Sequence, residues 1–174
     1  MPKLFFALSP DPTVRERIIQ HRNRFSIAGR LSKDNNIHLT VLYLGKLSVN
    51  QQQKIIDCAN RIQVNRFELQ LNHIDYFKHN KITWMGVKHI PPELSKLHHE
   101  LSECGKSIEL ELEKRAFKPH LTLARKALLE KKHSFTCINW PVNQFVLYES
   151  KQQADGVLYE CIKTFNFKEK IEHA

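Results

Sequence analysis

Two short stretches of this 174-residue chain repeat each other in the residue types best suited to chemistry. Ile37-His38-Leu39-Thr40-Val41 returns 82 positions later as Pro119-His120-Leu121-Thr122-Leu123. Chance placement would give about 0.3 occurrences of His-x-Thr in such a chain and about 0.04 of His-Leu-Thr, so two copies point to a duplicated unit with one copy per half. Each copy lies in an apolar, strand-like run. Alternate side chains of a strand share a face, so His38 and Thr40 point one way while Leu39 and Val41 point to the core side. His120 and Thr122 repeat the arrangement, with Leu121 and Leu123 behind them.

If the two strands face each other across a cleft, two imidazoles and two hydroxyls meet on one substrate. That set suits in-line displacement at phosphorus, which needs a base on the attacking oxygen and an acid on the leaving one. Histidine can do either near neutral pH. The hydroxyls of Thr40 and Thr122 can donate to non-bridging phosphoryl oxygens, where charge builds in the transition state. Arg125, just past the second motif, can add a charge-assisted contact to the substrate. A strict pleat would turn Arg125 to the Leu121 face, so its entry into the cleft requires a bend. No metal site is expected: the chain has no His-x-His and no His-Glu-x-x-His, and neither motif carries a carboxylate beside its histidine. The five glycines form neither a Walker loop nor a dinucleotide fingerprint, so no nucleotide-driven step and no cofactor are expected.

The elements that must position these residues can be read from periodicity. Lys3–Leu8 is a buried strand leading into a helix on which Val14, Ile18 and Phe25 share a face. Arg15, Arg22 and Arg24 of that helix are expected in water, and Gly29 is expected to close it. Ile37–Leu44 is a strand. Ser48 and Gln51 form a capping box ahead of Ile55, Ile56, Ala59 and Ile62 at helical spacing. Phe67–Leu71 and Ile82–Val87 are strands, with a hairpin turn over His73 to Lys81. Pro91-Pro92 opens a helix carrying Leu94, Leu97, Leu101, Cys104 and Ile108, with Gly105 near its end. Pro119–Arg125, Gln144–Tyr148 and Val157–Phe165 complete a pattern that fits an α+β domain with largely antiparallel sheets.

Composition narrows the partner. Lys plus Arg number 27 against 18 Asp plus Glu, a surplus of nine that favours an anion. Lys114, Arg115, Lys118, Arg125, Lys126, Lys131 and Lys132 cluster around the second motif against Glu130. Arg22, Arg24, Arg30 and Lys33 precede the first, so both motifs should sit in positive potential. Phe5, Tyr43 and Phe117 are aromatics within reach of a base. The early apolar run Leu4–Leu8 is too short for a signal peptide or a membrane span. Cys58, Cys104, Cys137 and Cys161 are scattered, with no Cys-x-x-Cys pair, which predicts reduced, mostly buried thiols and a cytoplasmic setting rather than disulfides.

The paired motifs resemble the two HxTx signatures of the 2H phosphoesterase superfamily. The chain resembles more closely its RNA 2′,3′-cyclic phosphodiesterases, also called 2′-5′ RNA ligases. The likeness extends to Leu4-Phe5-Phe6-Ala7-Leu8, to Asn36-Ile37-His38-Leu39-Thr40 running to Leu44-Gly45, to Phe117 through Arg125, and to Leu147-Tyr148-Glu149-Ser150. It implies an α+β, two-lobed fold with a pseudo-twofold axis, antiparallel sheets flanking a central cleft and helices outside, the whole of residues 1–174 being one bilobed domain. It also implies metal-independent hydrolysis of a terminal RNA 2′,3′-cyclic phosphate to a 2′-phosphate, with His38 as proton donor and His120 as proton acceptor. Thr40 and Thr122 would hold the phosphoryl group, and reversal of the reaction would join RNA ends by a 2′-5′ bond. The partner would be an RNA end, such as that of a tRNA fragment, met by a monomer without a membrane. Phosphodiesterase action on small cyclic nucleotides or 2′-5′ oligonucleotides is an alternative reading, as is a non-catalytic RNA-binding module. Ser32-Lys33-Asp34 departs from the proline-rich turn common ahead of the first motif, which bears on the substrate-binding loop.

Overall fold

The computed structural model describes residues 1–25, 27–129 and 135–169. The first motif lies at β3 (Leu39–Lys46) and the second at β7 (His120–Leu129). The two strands meet antiparallel through Leu39 opposite Leu121, the middle residue of each motif. Around this point the chain repeats its own pairing. β1 (Lys3–Leu8) lies along β3 and β6 (Ile82–Gly86) along β7, both antiparallel. Leu8, Ala7, Phe6 and Phe5 face Leu39, Thr40, Leu42 and Tyr43. Met85, Trp84, Thr83 and Ile82 face Leu121, Thr122, Ala124 and Arg125. Both registers skip the fourth motif residue, Val41 in one half and Leu123 in the other. The duplication expected from the sequence is thus a pseudo-twofold repeat that reproduces even a β-bulge.

The remaining strands widen this frame. β9 (Gln144–Gln153) pairs with β1, and β10 (Gly156–Asn166) pairs with β9. On the other side β5 (His73–Phe77) pairs with β6, and β2 (Ile27–Leu31) pairs with β7 beyond the β3 contact. The result is an eight-stranded sheet, with β4 (Phe67–Leu71) and β8 (Ile138–Val142) forming a separate antiparallel pair.

Among the described residues three α-helices join the core. α1 (Pro12–Arg24) starts at Asp11, whose side chain accepts from Val14 N. α2 (Val49–Asn60) opens with the expected Ser48/Gln51 capping box. α3 (Pro92–Ser107) buries Leu94, Leu97, Leu101 and Cys104. α1 lies against β8, α3 against β3, and α2 against α3. These apolar faces and the core-side strand residues, among them Leu39, Val41, Leu121 and Leu123, join one buried cluster. None of these helices is long and apolar enough to cross a membrane.

Several expectations are overturned. Arg22 is not in water but 6% exposed, with Nη1 donating to Ser32 O at 2.7 Å and Nη2 paired with Asp34 at 2.9 Å. Gly29 does not close α1, which ends at Arg24, but sits inside β2 at φ +132. A Cβ there would lie 2.6 Å from Lys126 O, so the strand crossing requires glycine. His73–Phe77 is a strand rather than part of a turn. Cys58 and Cys104 form a disulfide, their Cα atoms 5.8 Å apart, because α2 and α3 pack together across 46 residues of sequence. Cys137 and Cys161 are free thiols and exposed rather than buried. Sequence spacing carries no sign of such helix pairing, and the cysteines no longer argue for a reducing compartment. Glu130, Lys131 and Lys132 of the basic cluster lie outside the described residues.

Candidate functional site

The bulge shared by β3 and β7 decides what faces the cleft. Beyond Thr122 the register slips at Leu123, so Leu123 and Ala124 are both buried and Arg125 emerges on the side of His120 and Thr122. The bend needed to bring Arg125 into the cleft is therefore present. A cavity of about 480 Å³ is lined by His38, Thr40, His120, Thr122 and Arg125, all five candidate residues, together with Phe5, Tyr43, Ile82, Arg30, Lys33 and others. Phe117 is not among them: its ring stacks on His98 at 4.1 Å between centroids.

Each histidine is oriented by the same device. His38 Nδ1–H donates to Asn36 O at 2.6 Å, and His120 Nδ1–H donates to Lys118 O at 2.7 Å. In each case the acceptor is the carbonyl two residues upstream. With Nδ1 holding a proton, the neutral imidazole presents the Nε2 lone pair. His38 Nε2 lies 3.0 Å from Thr40 Oγ1, so the threonine hydroxyl donates to it while the ring is neutral. The rings are held from the side as well. His38 packs on Phe5 and edge-on to Tyr159, with centroids 5.1 and 4.9 Å away. His120 packs edge-on to Phe77 at 5.0 Å and against Trp84 at 6.0 Å, while Lys118 Nζ lies over both of those rings.

Burial lowers the pKa of both. His38 falls from 6.5 to about 4, chiefly by desolvation and further by the charges of His120, Arg125 and Arg15, with its hydrogen bond to Asn36 acting in the opposite direction. His120 is lowered by desolvation first, then by Lys118 and Arg125. Near neutral pH the site holds two neutral imidazoles beside a cationic wall. That is an environment built for an anion, whose charge would favour the imidazolium.

The loop ahead of the first motif is pinned by two arginines of α1. Arg15 donates to Asp34 O at 2.7 Å and Ile37 O at 2.9 Å, while Arg22 holds Ser32 and Asp34. Ser32 Oγ donates to Thr122 O at 2.8 Å, so this loop ties the second motif to the first. Of Ser32-Lys33-Asp34, the stretch without a proline-rich turn, Ser32 and Lys33 thus form part of the cavity wall. From the opposite side the β9–β10 hairpin tip reaches it. Asn36 Nδ2 donates to Val157 O at 2.8 Å, and Lys33 pairs with Asp155 at 2.9 Å. The tip residues Asp155, Gly156 and Val157, and Tyr159 beyond them, carry no sequence signal as site residues. Their role arises from the hairpin's length alone.

Arg30 and Arg125 sit directly opposite each other across β2 and β7, both on the cavity, and neither has a carboxylate partner among the described residues. Like charges in a cross-strand pair cost stability. Arg30→Gln should therefore stabilise the fold by about 0.5 kcal/mol in denaturant titration while weakening phosphate-ligand binding. A variant that lost stability would mean that the pair is already neutralised.

Comparison with known proteins agrees with this geometry. The sequence model of the 2′-5′ RNA ligase superfamily matches residues 10–152. The RNA 2′,3′-cyclic phosphodiesterase of Escherichia coli strain K12 is 30% identical over 165 residues, covering 92% of this chain and 94% of that protein. The protein of the same name from Methanocaldococcus jannaschii is 25% identical over 181 residues, covering 92% and 98%. Among solved structures, E. coli LigT complexed with 3′-AMP superposes with a TM-score of 0.91 at 27% identity, over 97% of this chain and 100% of that one. The motifs, the repeated register around them and these matches lead to one assignment: the chain belongs to the 2′-5′ RNA ligase superfamily.

Proposed function

We propose that the chain hydrolyses the 2′,3′-cyclic phosphate at an RNA terminus to a 2′-phosphate, with His120 as base, His38 as acid, and Thr40, Thr122 and Arg125 binding the phosphoryl group. The observation that carries this reading is the pair of histidines, each fixed through Nδ1 to a backbone carbonyl so that Nε2 is left for the cavity side, where His38 Nε2 meets Thr40 Oγ1. His120 Nε2 takes a proton from the attacking water as the new P–O bond forms. The P–O3′ bond breaks on the opposite side, and protonated His38 gives its Nε2 proton to O3′. The Thr hydroxyls and the Arg125 guanidinium offset the charge on the equatorial oxygens. Reversal with a 5′-hydroxyl end in place of water would form a 2′-5′ bond.

The names of the two relatives described above support the substrate, since both are RNA 2′,3′-cyclic phosphodiesterases. So does the range of ligands solved with E. coli LigT, which includes 3′-AMP, ATP, NADP+ and phosphate. The same reading takes residues 1–174 as one bilobed domain acting as a monomer in the cytoplasm, on ends such as those of tRNA fragments.

The test is to offer RNA ending in 2′,3′-cyclic phosphate, with and without EDTA, and to read the product by phosphorus NMR. A 2′-phosphate should form at the same rate in both, because base, acid and counter-charges come from side chains. A dominant 3′-phosphate would mean that O2′ leaves instead, with the two histidine roles reversed or the substrate docked the other way. Activity lost in EDTA and restored by one divalent ion would replace the mechanism.

A further inference from the structure

The cavity carries more positive charge than one cyclic phosphate can neutralise. Arg30, Lys33 and Arg125 line it, and Asp155 is its one carboxylate among the described residues. A 2′,3′-cyclic phosphodiester brings a single negative charge, which Arg125 meets in the proposed hydrolysis. Arg30 reinforces Arg125 from directly across the β2–β7 pair. Lys33 stands apart from both. It follows Arg30 by three residues, roughly 10 Å along an extended chain, past the point where Ser32 Oγ donates to Thr122 O. Its side chain is half-exposed while lining the cavity and crosses to the β9–β10 tip, so the ammonium stands at the cavity mouth.

The hairpin tip is shaped around that lysine. Gly156 adopts φ +129, and a Cβ there would lie 3.6 Å from both Cε and Nζ of Lys33. Nζ donates to Asp155 Oδ2 at 2.9 Å. Both side chains are largely in water, at 50% and 75% exposure, so the ion pair is weak and easily exchanged. A phosphodiester oxygen is an equivalent acceptor for the same ammonium. The tip does not depend on the ion pair for its place, because Asn36 Nδ2 also donates to Val157 O at 2.8 Å. We propose that Lys33 binds the phosphodiester linking the terminal nucleotide to the rest of the RNA, and that Asp155 holds the ammonium until that phosphate displaces it. This rests on the cyclic-phosphate reading and narrows its substrate to a strand end rather than a free cyclic nucleotide. Asp155 acts on selectivity in two ways. It keeps Lys33 in place before RNA arrives, and it competes with any phosphate that would take its position.

The test uses a dinucleotide ending in 2′,3′-cyclic phosphate, its upstream ribose 2′-O-methylated, with either a phosphodiester or an uncharged methylphosphonate linkage. The readout is the ratio of kcat/KM, charged over uncharged, in the wild type, Lys33→Gln and Asp155→Asn. The wild type should prefer the charged linkage. Lys33→Gln should lower the ratio roughly two- to tenfold, the scale of one exposed phosphate contact, mainly through KM. Asp155→Asn should raise it, since the ammonium loses its competitor. Opposite signs separate a phosphate site from a plain latch, in which both variants break the same ion pair and act alike. For the charged substrate, the slope of log kcat/KM against log salt should become shallower by about 0.7 in Lys33→Gln, the loss of one phosphate contact on a single strand. A calorimetric arm measures the Kd ratio of the two linkages in dinucleotides ending in a 2′-phosphate, and needs no turnover. If the wild type opened neither substrate, the hydrolytic reading would fall while the binding ratio still decided on Lys33. A wild type indifferent to the linkage, a ratio unchanged by Lys33→Gln, or equal shifts in both variants would overturn the subsite.

Discussion

Replacing His38 or His120 by alanine should slow cyclic-phosphate opening at least about a hundredfold, the usual scale of lost acid–base catalysis. The fold should survive. Each imidazole lines the cavity, and its one backbone bond is to the carbonyl two residues upstream, Asn36 or Lys118, which water can replace. The losses should not multiply. Once the base is gone, an acid opposite it has less to assist, so the double variant should be close to the worse single one. The two singles should differ in character. His38→Ala also removes the group to which Thr40 Oγ1 donates, at 3.0 Å, and frees that hydroxyl to turn. Its effect on KM should therefore exceed that of His120→Ala. Thermal unfolding of each variant separates loss of chemistry from loss of structure. Near wild-type turnover in folded His120→Ala would end the two-histidine mechanism.

The placement of these residues on one cavity is legible in the sequence because it depends on local spacing. His-x-Thr sets two side chains on one face of a strand whatever surrounds the strand, and a second copy implies a second strand like the first. Arg125 shows where that reasoning stops. Counting alternation from His120 sends it to the core, and the bulge at Leu123 that reverses its side is a property of pairing with β6, not of the local sequence. Tyr43 is turned inward for the same reason. Long-range packing also hides the rest. Arg22 reads as a solvated helical arginine, yet it is buried because the β2–β3 loop folds back over α1. Cys58 and Cys104 read as separate thiols until two helices are laid side by side. The β9–β10 tip reaches the cavity only because two strands of ten and eleven residues project it there.

The second large effect expected is on pH. Ring opening, measured as kcat/KM, should peak on the acid side of neutrality and fall about tenfold per pH unit above the peak. In the proposed mechanism the free protein reacts only with His120 neutral and His38 protonated. Above 6.5 the first condition is met and the second is not, because burial and the charges of His120, Arg125 and Arg15 hold His38 at about 4. The two limbs should therefore both lie below 6.5 and belong to the pair rather than to either ring. In kcat the basic limb should move up, since a bound phosphodiester anion favours the imidazolium of His38. Stability gives a check free of turnover. A histidine with a lowered pKa binds its proton more tightly unfolded than folded. Its contribution is thus fully present above 6.5 and is lost as pH falls from 6.5 toward about 4, at most roughly 3 kcal/mol for His38. Denaturant titrations from pH 7 to 4.5 should show that loss in the wild type and a shallower one in His38→Gln. A basic limb of kcat/KM well above 7, with no difference in acid sensitivity between the two proteins, would mean that His38 is already protonated before substrate arrives.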